Sequence, residues 1–125
     1  MMNTGELRKV IVELIEQNKT SDYKVYYKRV PFFKVSYPYV TYYLSHSKRE
    51  HEFNYSLELH VWTRDDVKLA EKIADEISNI DGFYYYDENN FSLDFYLQSR
   101  KTVDDEDKEI VHEVLLFNII VYDKK

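Results

Sequence analysis

The sequence predicts an α+β fold: an antiparallel or mixed sheet of four to five strands with two helices packed on one face. Three observations predict it. Two segments, Leu7 to Ile15 and Val67 to Ile80, carry apolar residues at the 3.6-residue helical period. Two others, Phe53 to Val61 and Phe91 to Leu97, alternate apolar and polar residues with period 2. The order is helix, strands, helix, strands, which is not the strict alternation of a doubly wound βαβ sheet. With 125 residues, 44% of them hydrophobic, the chain is expected to be one domain spanning 1–125, with enough apolar material for a core.

The first helix is built on Leu7, Val10, Ile11, Leu14 and Ile15, one stripe at i, i+3, i+4, i+7 and i+8. Asn3 or Thr4 can cap it, and Glu6 sits in the first turn, where the helix dipole favours a carboxylate. Burying each of these aliphatics contributes about 1.5–3 kcal/mol before entropy costs, so the helix must pack on something. Tyr23 to Val30 reads as a strand, interrupted by Pro31. Phe32 to Val35 is a short apolar connection, and Tyr37 to Leu44 a second strand. Ser45 to His51 reads as a polar turn.

Phe53, Tyr55, Leu57, Leu59 and Val61 then alternate with polar residues, which demands a strand with one buried and one wet face. The short link before it makes a hairpin with the second strand. Thr63, three residues before Asp66, resembles a capping box opening the second helix. Val67, Ala70, Ile73, Ala74, Ile77 and Ile80 form its stripe, and Gly82 suits the left-handed position that ends it. Phe83 to Tyr86 is either a short strand or an apolar lead-in. Asp87 to Asn90 is a turn. Phe91 to Gln98 is a strand, and Ser99 to Lys108 a charged loop of ten residues able to reach roughly 15 Å. Ile110 to Tyr122 is the last strand. From Val114 on, both of its phases are mostly apolar, so it is expected to be covered on both faces. Two helices on one face leave the second cover to the Tyr-rich segments or to another subunit.

Composition narrows the chemistry. The absence of Cys removes disulfides, thiolate nucleophiles and zinc–thiolate sites, and fits a reducing compartment. Met1 to Glu6 has neither the cationic start nor the apolar run of a signal peptide, and no apolar run is long enough for a membrane helix. Two Gly in the chain leave no phosphate-cradling loop. His46, His51, His60 and His112 show no ligand spacing, and the acidic runs lack the Gly of a calcium loop. No carboxylate stands isolated in an apolar stretch, and no Ser sits in a strained elbow. An enzyme, a cofactor and a metal are therefore not expected.

Two features remain. Thirteen residues are Tyr, which suits either protein interfaces or the β-propensity of a chain from an AT-rich genome. Adjacent Tyr42 and Tyr43 must point to opposite faces of their strand. The net charge of −6 is also uneven: residues 1–50 hold nine Lys and Arg against five Asp and Glu, and residues 51–125 hold eight against eighteen. That total disfavours phosphate-driven nucleic-acid binding. A molecule with a basic and an acidic half can attract its own copies head to tail, into rings or filaments. An acidic DNA mimic of the anti-restriction type is the rival reading of the same charge.

The N-terminal amphipathic helix, Val25 to Pro31, Tyr37-Pro38-Tyr39-Val40 with Tyr42 and Leu44, and Leu57 to Trp62 followed by Thr63-Arg64-Asp65 form a pattern. It resembles that of the small tail-completion (tail terminator, or tail-to-head joining) proteins of long-tailed phages and prophages of Gram-positive bacteria. Asp104-Asp105 and a strand closing in Val121-Tyr122 complete the pattern. The family's Arg-rich segment before the last strand is acidic here, with only Lys108 and His112. The resemblance implies a structural virion protein that forms a ring, often hexameric, at the head-proximal end of the tail, after assembly in the host cytoplasm. Its partners would be further copies, the tail-tube protein and the head connector, with no membrane and no specific nucleic acid. The expected interface comprises Tyr39, Tyr42, Tyr43 and Trp62, Leu116 and Ile120 of the last strand, and Asp104, Asp105 and Asp107 of the charged loop.

Overall fold

A computed structural model describes residues 4–31, 35–49, 52–87 and 91–123. The chain runs α1 (Thr4–Asn18), β1 (Lys24–Tyr27), β2 (Tyr39–Arg49), β3 (Glu52–Arg64), α2 (Val67–Ser78), β4 (Tyr84–Tyr86), β5 (Phe91–Val103) and β6 (Ile110–Asp123). The strands form one mixed six-stranded sheet in the order β1-β2-β3-β6-β5-β4. Among the described residues, only β1 and β2 pair in parallel. The α+β class holds. The strand count rises from four or five to six because Tyr84–Tyr86 pairs with β5, a contact between segments of ambiguous local pattern.

Both helices bury their stripes against the same face of the sheet. Leu7, Ile11 and Ile15 of α1 and Ile73 and Ile77 of α2 join one core with Val40, Leu57, Leu59, Phe95, Leu115, Phe117 and Ile119. α1 reaches both edges: the Arg8 guanidinium lies 3.9 Å over the Tyr27 ring of β1, while Val10 shares a cleft with Tyr85 of β4 and Phe91 of β5. The link between α1 and β1 is fastened by a buried carboxylate of α2. Glu76 accepts hydrogen bonds from Thr20 N at 2.9 Å, Thr20 Oγ1 at 2.7 Å and Ser21 Oγ at 3.2 Å. Among the described residues no helix is long and apolar enough to cross a membrane.

Four local readings need correction. Residues 45–49 continue β2 instead of turning, because the ladder with β3 runs on through Ser45–Ser56 and Ser47–Asn54 to Arg49–Glu52. The first strand stops at Tyr27, since Lys28 takes a left-handed φ of 70°. The cap of α2 is Asp66, whose side chain accepts from Leu69 N at 2.9 Å; Thr63 lies within β3 and its hydroxyl donates to the Asp66 carbonyl. Val67, placed in the apolar stripe, is 56% exposed. Gly82 does take a left-handed φ of 79° beyond α2. Asn3, Phe32 to Lys34, Glu50, His51 and Glu88 to Asn90 lie outside the described residues.

The ten-residue charged loop is also shorter than expected. β5 continues through a bulge at Leu97/Ser99 as far as Val103, leaving 104–109 as the loop. Arg64 ties that loop down, with Nη2 2.5 Å from Glu109 and Nη1 3.7 Å from Asp107. Asp65 N donates to the Glu109 carbonyl at 2.6 Å. A 15 Å excursion is therefore closed off.

One buried charge on the helix-covered face is poorly served. Burial pushes the Glu113 carboxyl up, with Arg100 opposing and Glu71 and Asp75 adding to it. Its Oε2 has no hydrogen-bond partner, and Arg100, 3.7 Å away, lies 2.6 Å from Asp75. An acid held above its ordinary value is neutral more readily in the fold than when unfolded, so it destabilises the fold as pH rises past that value. Glu113→Gln is expected to raise stability by about 0.5–1 kcal/mol at pH 7 and by less near pH 4, read from urea midpoints at both. Equal shifts at the two pH values would remove the ionisation as the cause.

Candidate interaction surface

The face of the sheet opposite the helices defines the site. Successive residues of a strand point to opposite faces, so the register assigns this second face without ambiguity. Its rows run Tyr39–Trp62–His112, Thr41–His60–Val114, Tyr43–Glu58–Leu116, and Asn54–Ile120–Asp94–Tyr84. Among the described residues no helix packs here.

At the β2–β3–β6 end, six rings make a continuous layer. Trp62 stacks on His112 at 3.6 Å between centroids, and His60 lies 4.9 Å from His112. Tyr39 stacks on Trp62 at 6.0 Å and is flanked by Tyr37 at 5.3 Å and Tyr26 at 6.5 Å. His60 Nδ1 and His112 Nε2 are 2.7 Å apart, so one carries a proton and the other accepts it. His60 Nε2 faces Glu58 at 3.5 Å. Burial, with the nearby His60, depresses His112 to about 4, while Asp105 pulls the other way. Burial, Tyr37 and Asp105 together raise Tyr39. Asp104, Asp105 and Lys108 line one cleft with His112, which places the 104–109 loop beside this layer. The two histidines are 52 positions apart in sequence and meet only because β6 registers against β3; no spacing rule could have paired them. Among the described residues no group of three or more His, Asp or Glu is placed to hold a metal ion.

The expected interface residues divide. Trp62, Leu116 and Ile120 are half-buried on the uncovered face, and Tyr43 is 44% exposed there. Tyr39 shares that face as a buried floor of the ring layer. Tyr42 does not belong to it: at 3% exposure it lies in the core, 5.1 Å from Tyr27, because its phase in β2 points it at the helices. Asp104 and Asp107 are exposed and Asp105 half-buried. The last strand is sealed on its helix side, where Leu115, Phe117 and Ile119 are fully buried. On the other side Val114 is buried while Leu116 and Ile120 stay half-open.

A second cluster was not expected. Tyr84 and Tyr86, each 53% exposed, stand with Tyr96 and Tyr122 at 41% and 49% on the uncovered face near the β4 edge. The register places Tyr86, Ser92 and Tyr122 in one row, with Tyr84, Asp94 and Ile120 in the next. The signal was present in the alternation of β5, where Tyr96 shares the polar phase of Ser92 and Asp94, and in the i, i+2 spacing of Tyr84 and Tyr86.

Fold and surface define a two-layer α+β module with one sheet face covered by helices and the other bearing aromatic and aliphatic side chains that are exposed or half-buried. The chain shares this fold with solved structures at low identity. One is a chain in the virion of a native gene transfer agent particle, with a TM-score of 0.59 at 15% identity, covering 92% of this chain and 85% of that one. A second solved protein gives a TM-score of 0.70 at 11% identity, covering 99% of both chains. No family model and no curated protein matches the sequence.

Proposed function

We propose that this protein is a structural component of a phage or phage-like virion, which caps the tail tube as a ring, hexameric in the family it resembles, and joins it to the head connector. The observation that carries the reading is the fold shared with a chain of the gene transfer agent virion over most of both chains. The sequence resemblance to tail-completion proteins points the same way independently. The uncovered face supplies the means: Tyr43, Leu116 and Ile120 offer apolar area that a virion neighbour would bury. Its work is assembly, with no chemical step, cofactor or metal of its own. It acts at the head-proximal end of the tail, after assembly in the host cytoplasm.

The acidic DNA-mimic reading has less behind it, since Asp75 is engaged by Arg100, and Asp107 and Glu109 by Arg64. The test is to add the protein to polymerising tail-tube protein and to measure tube length by electron microscopy. Shorter tubes carrying the protein at one end are expected, and Leu116→Arg is expected to restore long tubes. Unchanged tube lengths with no co-sedimentation would defeat the proposal, and displacement of DNA from a nuclease would favour the mimic.

A further inference from the structure

The uneven charge of the sequence becomes a spatial polarity in the sheet. β1 and β4 are its two edges. From Tyr23 through Tyr37 the chain carries Lys24, Lys28, Arg29 and Lys34 and no acid. From Phe83 through Leu97 it carries Asp87, Glu88 and Asp94 and no base. Among the described residues, Lys24, Lys28 and Arg29 therefore make the β1 edge cationic and Asp87 and Asp94 make the β4 edge anionic, with four strands between them.

The anionic edge is also where the exposed tyrosines gather. On the uncovered face Tyr84 stands opposite Asp94, Tyr96 follows it two residues along β5, and Tyr86 is in the next row, its ring 6.4 Å from that of Tyr84 and nearly parallel. Flat aromatic faces beside a carboxylate form a receptor for a cation, because the ring quadrupole and the charge attract it together. The chain already uses this chemistry within itself: Lys28 Nζ lies 5.5 Å from the Tyr27 ring and 5.9 Å from that of Tyr43, and Lys19 Nζ 4.9 Å from Tyr23. At the opposite edge Lys24, Lys28 and Arg29 are exposed. Both edge strands are short, four and three residues, and among the described residues each has one side without a strand neighbour.

We infer that copies of this chain join head to tail, the Lys24–Arg29 edge of one seated on the Tyr84–Tyr86–Tyr96 corner, with Asp94, of the next. The occupant is a second copy because the two surfaces complement each other in charge and in ring-to-cation chemistry, and neither complements itself. A contact between two unlike surfaces leaves one of each free, so it continues until a ring closes or a filament grows. The inference rests on the ring reading above for its biological setting, and names the surfaces that would build the ring.

Two variants test it by analytical ultracentrifugation at high protein concentration and low salt. In one, Lys24→Glu with Arg29→Glu reverses the basic edge. In the other, Tyr84→Ser with Tyr96→Ser strips the corner. All four residues are exposed, and circular dichroism checks that both variants fold. Wild type is expected to sediment as species larger than a dimer that dissociate as salt screens the charges. Each variant alone is expected to be a monomer. Mixed, they are expected to form a pair of twice the monomer mass that grows no further, since only one intact contact remains. Wild type that stays a monomer or stops at a dimer, or a mixture that stays monomeric, would overturn the inference. The tube-length assay reads the virion role separately: a ring that leaves tube growth unaltered removes that role and keeps this contact, and a strict monomer that still stops the tube does the reverse.

Discussion

Glu76→Ala is expected to cost the fold about 2–4 kcal/mol, the range for removing a buried carboxylate that accepts several hydrogen bonds. Glu76 is 8% exposed and takes three bonds from Thr20 and Ser21, so its loss leaves the Thr20 N–H and two hydroxyls without their acceptor. It would also free the α1–β1 link, which positions the basic edge strand. Glu76→Gln keeps the shape and one oxygen, and is expected to cost roughly half as much. Burial opposes ionisation of Glu76, but the hydrogen bonds from Thr20 and Ser21 and the charge of Lys72 outweigh it, so the carboxyl lies below its ordinary 4.5. A depressed acid stabilises the fold above its unfolded value, and that contribution disappears as pH falls through the folded one. Urea midpoints at pH 7 and pH 3 measure both effects. A change under about 0.5 kcal/mol at pH 7 would show that water serves these donors equally well.

The second large effect concerns His112, 7% exposed between Trp62 and His60. Burial holds it neutral down to about 4, against an ordinary 6.5. A base whose value is depressed by folding is protonated first in the unfolded chain. Its neutral form therefore stabilises the fold fully above pH 6.5, and that contribution drains away as pH falls from 6.5 towards 4. At most one proton is involved, so the slope is at most about 1.4 kcal/mol per pH unit, and about 2 kcal/mol is lost across the window. Protonating both facing nitrogens would also break the 2.7 Å contact with His60, beside Glu58 and Asp105. His112→Phe preserves the stack on Trp62 and takes no proton. The difference in stability between wild type and this variant is expected to change by about 2 kcal/mol between pH 6.5 and pH 4. Parallel pH profiles would exclude His112 as the titrating group.

Much of this architecture was legible from local pattern. α1 and α2 are where the 3.6-residue stripes put them, because an amphipathic stripe needs only one neighbour of any kind. β3 and the first half of β5 follow from their alternation for the same reason. The opposite fates of Tyr42, buried, and Tyr43, exposed, follow from period 2 alone, but which of the two faced the core could not be read until the helices had chosen a side. Residues 45–49 and 99–103 have the polar composition of loop; they are strand because a partner in the ladder satisfies their backbone.

Local pattern alone set the class of fold, the two helix faces, the phase of each alternating strand and the imbalance of charge, since each depends on residues within one or two turns or pleats of one another. Strand order and register decided everything that depends on distant residues meeting: the His60–His112 pair, the seating of Asp105 beside Tyr39, the tyrosine corner, and the transfer of two charged segments to opposite edges of one sheet. Those are long-range pairings, and a one-residue slip in any of them would carry the same side chains to the other face.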